Sequence, residues 1–326
     1  MRALAVTNSL PTPTRPDLGV FVADQIAALR DAGVEIDVLH VDRAAGGRRT
    51  YRRLGPRTRA AIVDRPPDVV HVLYGGVMAD VVTRAAGATP VLVSFCGSDL
   101  LGGRTAHGFG RVAEAVGVLA SRRAAVRAAG IIVKSRSLLE KLPSSISEEY
   151  VWVVPNGVDL ERFRPIDRDS CCEALGLDAT RQHVLFPAAP ERPEKRFVLA
   201  EEAVARLGFP VELHALAGRP HAEVPLWLNA VDAVLLTSAY EGSPNAVKEA
   251  LACNTPIVSV DVGDVRERVE GVSGCAVVDA DPAALAEALT AVLARGGRTD
   301  GRSKVRELSH ERVAETVARI YGVLAG

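Results

Sequence analysis

The stretch "TSAYEGSPNAVKEALACNTPIVSVDVGD" (237–264) reads as a strand end, a tight entry, a helix over 244–253 and a second strand at 256–260. Two carboxylates, Glu241 and Glu249, flank the Gly-Ser-Pro-Asn entry, among residues otherwise suited to a core. Ser243 is a good N-cap and Pro244 suits the first helical position, so Asn245 and Ala246 would present backbone N–H groups at the helix start. Such a start is an anion site matched to a diphosphate. A carboxylate accepts two hydrogen bonds from a vicinal diol, so acids at this spacing address sugar rather than phosphate. Glu249, two turns in, is placed for a ribose and Glu241, outside the helix, for a sugar hydroxyl. A capped helix with two surface acids explains Ser243 and Pro244. It leaves Glu241, Gly242 and Glu249 together unexplained.

Outward from this unit, apolar strand-length runs alternate with helical periods along the chain. "RALAVT" (2–7), "EIDVLHV" (35–41), "DVVHVLY" (68–74), "PVLVSF" (90–95) and "GIIVKS" (130–135) read as strands. Between the first two, 19–33 reads as a helix with Val22, Ile26 and Leu29 on one face and Gly33 at its stop. The rhythm breaks at "VVPNGVDLERFRP" (153–165), a linker with a tight Asn156-Gly157 turn. It restarts with strands at 183–188, 211–216, 232–237, 256–260 and 275–278 and a helix from about Lys195 to Leu207. The segment 281–297 is a helix with Asp281 as cap, Pro282 in its first turn and Leu285, Leu289, Val292 and Leu293 as its buried stripe. Continuous apolar strands with helical crossovers imply parallel sheets covered on both faces. The expected fold is α/β: two doubly wound domains facing a central cleft, 1–155 and 156–305, with a final amphipathic helix (306–326) packing back toward the first.

Chain length agrees, since 326 residues exceed what one core usually fills. The net charge of −1 conceals an asymmetry: residues 1–150 hold 20 Lys/Arg against 14 Asp/Glu, leaving 19 against 26 in the remainder. A basic first half suggests an anionic acceptor or membrane surface on that side, and "RAAGGRRTYRRLGPRTR" (43–59) contributes seven arginines. A solvated arginine-rich loop and helix is the plainer reading of that segment. The overall balance gives no pull toward nucleic acid. Five cysteines make no disulfide framework, and neither they nor the seven scattered histidines show zinc spacing, so no metal site is expected. With no signal peptide and no run of about 18 apolar residues, a cytoplasmic protein is expected, with peripheral contact at the inner membrane face as an option.

"EGSPNAVKE" (241–249) resembles the E-x7-E motif of family 4 retaining glycosyltransferases, nucleotide-sugar enzymes with a B-type fold of two Rossmann-like domains. Further resemblances follow in the family's order. "VTNSLPTPTRPDLGVFVADQIAAL" (6–29) is similar to the first strand, loop and helix, with Gly19 near the donor phosphates. "FCGSDLLG" (95–102) is similar to F-H-G-x-D. "VVPNGVDLERFRP" resembles the interdomain segment, and "ERPEKRFVLAEEAVARL" (191–207) the region of the diphosphate-binding lysine. The resemblance implies that Lys195 neutralises the departing diphosphate, as a metal otherwise would. It also implies that Ser243, Asn245 and Ala246 hold phosphate or sugar, that Glu249 binds the ribose, and that Glu241 positions and stabilises the sugar without forming a covalent bond to it. The donor is a nucleoside-diphosphate sugar, no cofactor is implied, and the acceptor is a glycan or glycolipid.

Two positions depart from the pattern. Pro190 stands where the family often has a diphosphate-gripping arginine, leaving Arg192 or Arg196 to reach in. Cys96 stands where the family has a histidine on the sugar side, with Ser98 and Asp99 following the pattern beside the acceptor or sugar; alternatively, Cys96 simply fills a strand end. His71 reads equally well as structural or functional. Rival readings are a nucleotide-sugar 2-epimerase or hydrolase of the same fold, or a non-catalytic sugar-binding protein. No GxGxxG follows the first strand and no GxxxxGK[ST] occurs, which argues against a dehydrogenase and a P-loop enzyme.

Overall fold

In a computed structural model the described residues are 1–15, 18–102 and 109–326, and the side chains of 43–46, 48, 49 and 109 also fall outside the description. Arg43, Arg48 and Arg49 of the basic stretch are among these. The chain divides into two compact units, residues 1–157 with 310–326, and residues 158–309.

Among the described residues the first unit holds six parallel strands, β1 (Arg2–Thr7), β2 (Glu35–His40), β3 (Val69–Val72), β4 (Val91–Phe95), β5 (Gly130–Val133) and β6 (Val151–Val153), in the order β2-β1-β3-β4-β5-β6. Side chains alternate across the sheet, so Leu4 and Val6 enter one core while Ala3 and Ala5 enter the other. The first core packs against Met78, Val82 and Ala124. The second packs against Val22, Ile26 and Leu29 of helix Val20–Asp31 and Val313, Val317 and Ile320 of helix His310–Ala325. Each such buried aliphatic side chain contributes roughly 1.5–3 kcal/mol. Helix His310–Ala325 thus belongs to the first unit, although 152 residues of the second intervene.

The second unit holds β7 (His183–Phe186), β8 (Glu212–Ala215), β9 (Ala233–Leu236), β10 (Ile257–Val260) and β11 (Ala276–Val278), all parallel, in the order β11-β10-β9-β7-β8. Helix Pro282–Arg295 begins as expected: the Asp281 carboxylate accepts from the amides of Ala283 (2.9 Å) and Ala284 (3.0 Å). Leu285, Leu289, Val292 and Leu293 are buried.

Two local expectations fail. The proposed linker 153–165 is divided between the units. Its first residue closes β6, an edge strand too short to register as a strand period. From Val158 onward the chain is held in the second unit, where Val158 N–H donates to Leu308 (2.8 Å) and the Arg302 guanidinium donates to the carbonyls of Leu160 and Phe163. The helix expected from Lys195 begins instead at Phe197, because Arg196 adopts a left-handed conformation (φ 54°) that separates a short 3-10 turn, Pro193–Lys195, from helix Phe197–Val204.

A candidate donor site built on Lys195 and Glu241

In the second unit the turn after β7 is sewn to the loop after β9. Ala239 N–H donates to Glu194 O (2.8 Å), and Thr237 Oγ1 donates to Lys195 O (2.7 Å). The Arg196 guanidinium returns bonds to the carbonyls of Thr237 (2.6 Å) and Ser238 (2.9 Å). Both segments leave the carboxyl ends of their strands, where open α/β sheets bind ligands. This stitching lays Lys195 beside Glu241, and Nζ forms an ion pair with Oε1. The two side chains are only 14% and 15% exposed, so the pair is shielded from bulk water.

Of the two arginines suggested as substitutes at Pro190, Arg196 is engaged inside the fold and Arg192 sits in an exposed ion pair. Arg196 is committed to the two carbonyls, and Arg192 bonds through Nε to Glu194 (2.8 Å).

The helix entry also differs from expectation. Helix Asn245–Ala252 has Pro244, not Ser243, at its N-cap, with no side-chain cap bond. Ser243 Oγ instead donates to Asp264 Oδ2 (2.9 Å) and receives the Lys248 ammonium (3.1 Å), while Arg268 Nε donates to the same Asp264 oxygen (2.9 Å). Lys248, Ser243 and Asp264 are all buried. Burying such groups is tolerated only where they satisfy one another. Gly263 completes the support. It lies at φ 59°, and a Cβ there would meet Gly242 O at 2.5 Å. Asn245, Ala246 and Glu249 are half-buried on the first two turns, and Glu249's charge reaches Cys253, whose thiol burial pushes up to about 12. Lys248, Gly263 and Asp264 were missed in the sequence because their role is to hold a loop. A lysine at 1% exposure leaves no mark on the helical period.

The first unit contains a cavity of about 870 Å³ at the carboxyl ends of its strands, with Ser9, Arg15, His40, Tyr51, Tyr74 and Cys96 among its walls. Gly19 shapes the loop above it: φ is 70°, and a Cβ would stand 2.3 Å from Ser9 O. Cys96 is half-buried on the cavity wall, not merely filling a strand end. Ser98 is exposed, with its hydroxyl 2.9 Å from that of Tyr74.

Asp99 does not line this site. It is 5% exposed, and its carboxylate accepts from the amides of Gly75 (2.8 Å), Cys96 (3.0 Å) and Gly97 (2.8 Å), so it organises the surrounding loops. Burial pushes its carboxyl up against the pull of those amides, and burial pulls the nearby Lys134 ammonium down against the charge of Asp99. His71 is structural. Its ring is fully buried between Tyr321 Oη (2.6 Å) and Ser94 Oγ (2.7 Å), and burial lowers it to about 3.

Residues 190–295, which contain every element of the Lys195–Glu241 site, match the family described as glycosyl transferases group 1. That stretch of the chain is similar to the group 1 glycosyltransferases. A D-inositol 3-phosphate glycosyltransferase of Geodermatophilus obscurus is 32% identical over 53% of this chain and 47% of its own length. A lipopolysaccharide core biosynthesis mannosyltransferase of Rhizobium meliloti is 27% identical over 50% of this chain and 55% of its own. The chain thus spans about half the length of these relatives. Sucrose-phosphate synthase from Thermosynechococcus elongatus has the same fold throughout, with a TM-score of 0.79 at 17% identity, covering 99% of this chain and 98% of that one. Among the described residues, no helix is long and apolar enough to cross a membrane.

Proposed function

We propose that this chain is a family 4 retaining glycosyltransferase that moves a sugar from a nucleoside diphosphate, without a metal, in bacterial cell-surface polysaccharide or glycolipid assembly. The observation that carries this reading is the shielded Lys195–Glu241 ion pair beside the braced Gly242–Pro244 entry. An entering donor exchanges partners with the pair. The Lys195 ammonium passes to the diphosphate and stabilises the negative charge that grows as it leaves, while the first-turn amides of the helix hold the phosphate oxygens. The Glu241 carboxylate accepts from a sugar hydroxyl and steadies the positive charge developing at the anomeric carbon. Glu249 accepts from the ribose. The acceptor attacks from the face the diphosphate leaves, which retains the configuration.

Thermal-shift titration with UDP, GDP, ADP and dTDP and their sugar conjugates tests this. One nucleotide series should stabilise the protein and Glu249→Ala should abolish the shift; no stabilisation by any of them sinks the reading. Incubation with donor alone separates transfer from epimerisation or hydrolysis, since a transferase leaves most donor intact until an acceptor arrives.

The acceptor is assigned to the first unit, where Arg15 and His40 at the cavity wall suit an anionic group. The inositol-phosphate name of one relative supports that choice. Peripheral contact with an anionic membrane, from the cytoplasmic side, is supported by helix Phe109–Arg127, which exposes Val112, Val116, Leu119 and Val126 beside Arg111, Arg122 and Arg123. Equal binding to anionic and zwitterionic liposomes would remove the membrane part alone.

A further inference from the structure

At the opposite edge of the second sheet, the amino ends of β7 and β8 bring His183, Glu212 and His214 together, with their ligating atoms within 4.8 Å of one another. We propose that these three residues bind a divalent transition-metal ion of the zinc type, which pins edge strand β8 to β7.

Register creates the cluster. His183 is paired with Glu212 in the parallel ladder, and His214, two residues along β8, projects from the same face as Glu212. The distances are 3.0 Å from His183 Nδ1 to His214 Nε2, 3.6 Å from His183 Nδ1 to Glu212 Oε2, and 3.8 Å from His214 Nε2 to Glu212 Oε2. A tetrahedral zinc ion with bonds of about 2.0–2.1 Å sets its ligand atoms about 3.3–3.4 Å apart. The observed separations bracket that value, so small side-chain movements suffice.

The surroundings fit a metal centre. His183 Nε2 lies 2.9 Å from the carbonyl oxygen of Asp178, which can only accept. In the neutral ring this places the proton on Nε2 and leaves the Nδ1 lone pair aimed at the other two ligands, as metal-binding histidines are usually oriented. Arg181 occupies Glu212 Oε1 (2.6 Å), leaving Oε2 for the two rings. His183 is fully buried and His214 packs on Trp227 (ring centroids 5.3 Å apart), which restricts the imidazoles. Glu212, 37% exposed, leaves an entry path and an open fourth position for water. Two imidazoles and one carboxylate favour zinc, cobalt or nickel over magnesium or calcium. The parallel strands carry Lys195 and Glu241 at their other ends, so this ion takes no part in transfer.

The test uses the full chain after chelator treatment, titrated with Zn²⁺ against a chromophoric competitor, with Co²⁺ as a spectroscopic probe. One equivalent should bind and raise Tm where Mg²⁺ does not, and Co²⁺ should give visible bands without thiolate charge transfer. His214→Ala and Glu212→Gln, chosen because the buried His183 risks the fold, should each weaken binding by more than the roughly 10–100-fold lost with an outer-shell partner. Circular dichroism checks that both variants remain folded. The proposal is overturned by absence of stoichiometric binding, by binding unchanged in both folded variants, or by a cobalt spectrum that reports cysteine ligation.

Discussion

Lys195 and Glu241, 46 residues apart in the chain, neutralise each other in a shielded ion pair held by backbone bonds between two loops. Removing one member leaves the other without its partner in a poorly solvated place, so the roles proposed for the pair separate by substitution. Lys195→Ala should reduce kcat by about 100–1,000-fold, the range seen when one donor to a developing anion is lost. Glu241→Gln should leave nucleotide affinity near the parent value, because Lys195 is then released to the phosphate, and should lower kcat with the intact donor. Equal losses of nucleotide affinity in both variants would contradict this division.

Gly263 supports the Gly242 carbonyl at a distance that leaves no room for a methyl group. Gly263→Ala should cost about 1–3 kcal/mol from its left-handed backbone alone, with more from the clash, and should weaken nucleotide binding as the loop shifts. Gly176→Ala is the control: it is also left-handed (φ 68°, ψ 29°) but meets nothing within 4 Å. Chemical denaturation and nucleotide titration of the two variants give the comparison.

Ser243 acts as a bridge between Lys248 and Asp264 rather than as a helix cap. Ser243→Ala leaves both charged partners short of a hydrogen bond, so the loss should reach about 1–3 kcal/mol. Ser243→Thr keeps the hydroxyl and should recover part of it. Equal denaturation midpoints for the two variants would show that the bridge has no energetic role.

His71 stays neutral in the fold down to about pH 3, against an ordinary value of 6.5, with burial as the main cause. The unfolded chain therefore takes up a proton that the native state refuses. The His71 contribution is fully present above about pH 6.5 and fades as pH falls toward 3, with a loss of about 2 kcal/mol between pH 7 and pH 5. Tyr321→Phe removes the partner on Nδ1 and should lower stability at pH 7 by about 1–3 kcal/mol. Unfolding curves at both pH values check both statements.

Cys96 is the cysteine placed to react. Cys171, Cys172 and Cys253 are buried, and burial pushes the half-buried Cys275 up to about 11. A maleimide at pH 7.5 should label Cys96 first, and the adduct should fill the cavity and block acceptor use while the nucleotide-induced thermal shift persists. Peptide mapping identifies the labelled site, and Cys96→Ser should remove the reaction.

What the chain order alone determined is what depends on local period and local chemistry. Ten of the eleven strands among the described residues were legible as apolar runs, and the Asp281–Pro282 start was legible because capping needs only neighbouring residues. The strand missed, Val151–Val153, is too short to show a period. The acids at 241 and 249 stood out because they interrupt an apolar pattern. Tertiary structure decided which charges meet. Ser243 has a cap's chemistry, yet buried Asp264 and Lys248 claim its hydroxyl. Asp99 stands in a stretch whose resemblance led to the expectation that it faces sugar, yet three backbone amides surround it. His183 and His214 lie 31 residues apart, and parallel register brings their rings together. A partner contributed by a distant strand leaves no periodic trace in the sequence, and the desolvation that makes a buried charge seek that partner exists only once the core has closed around it.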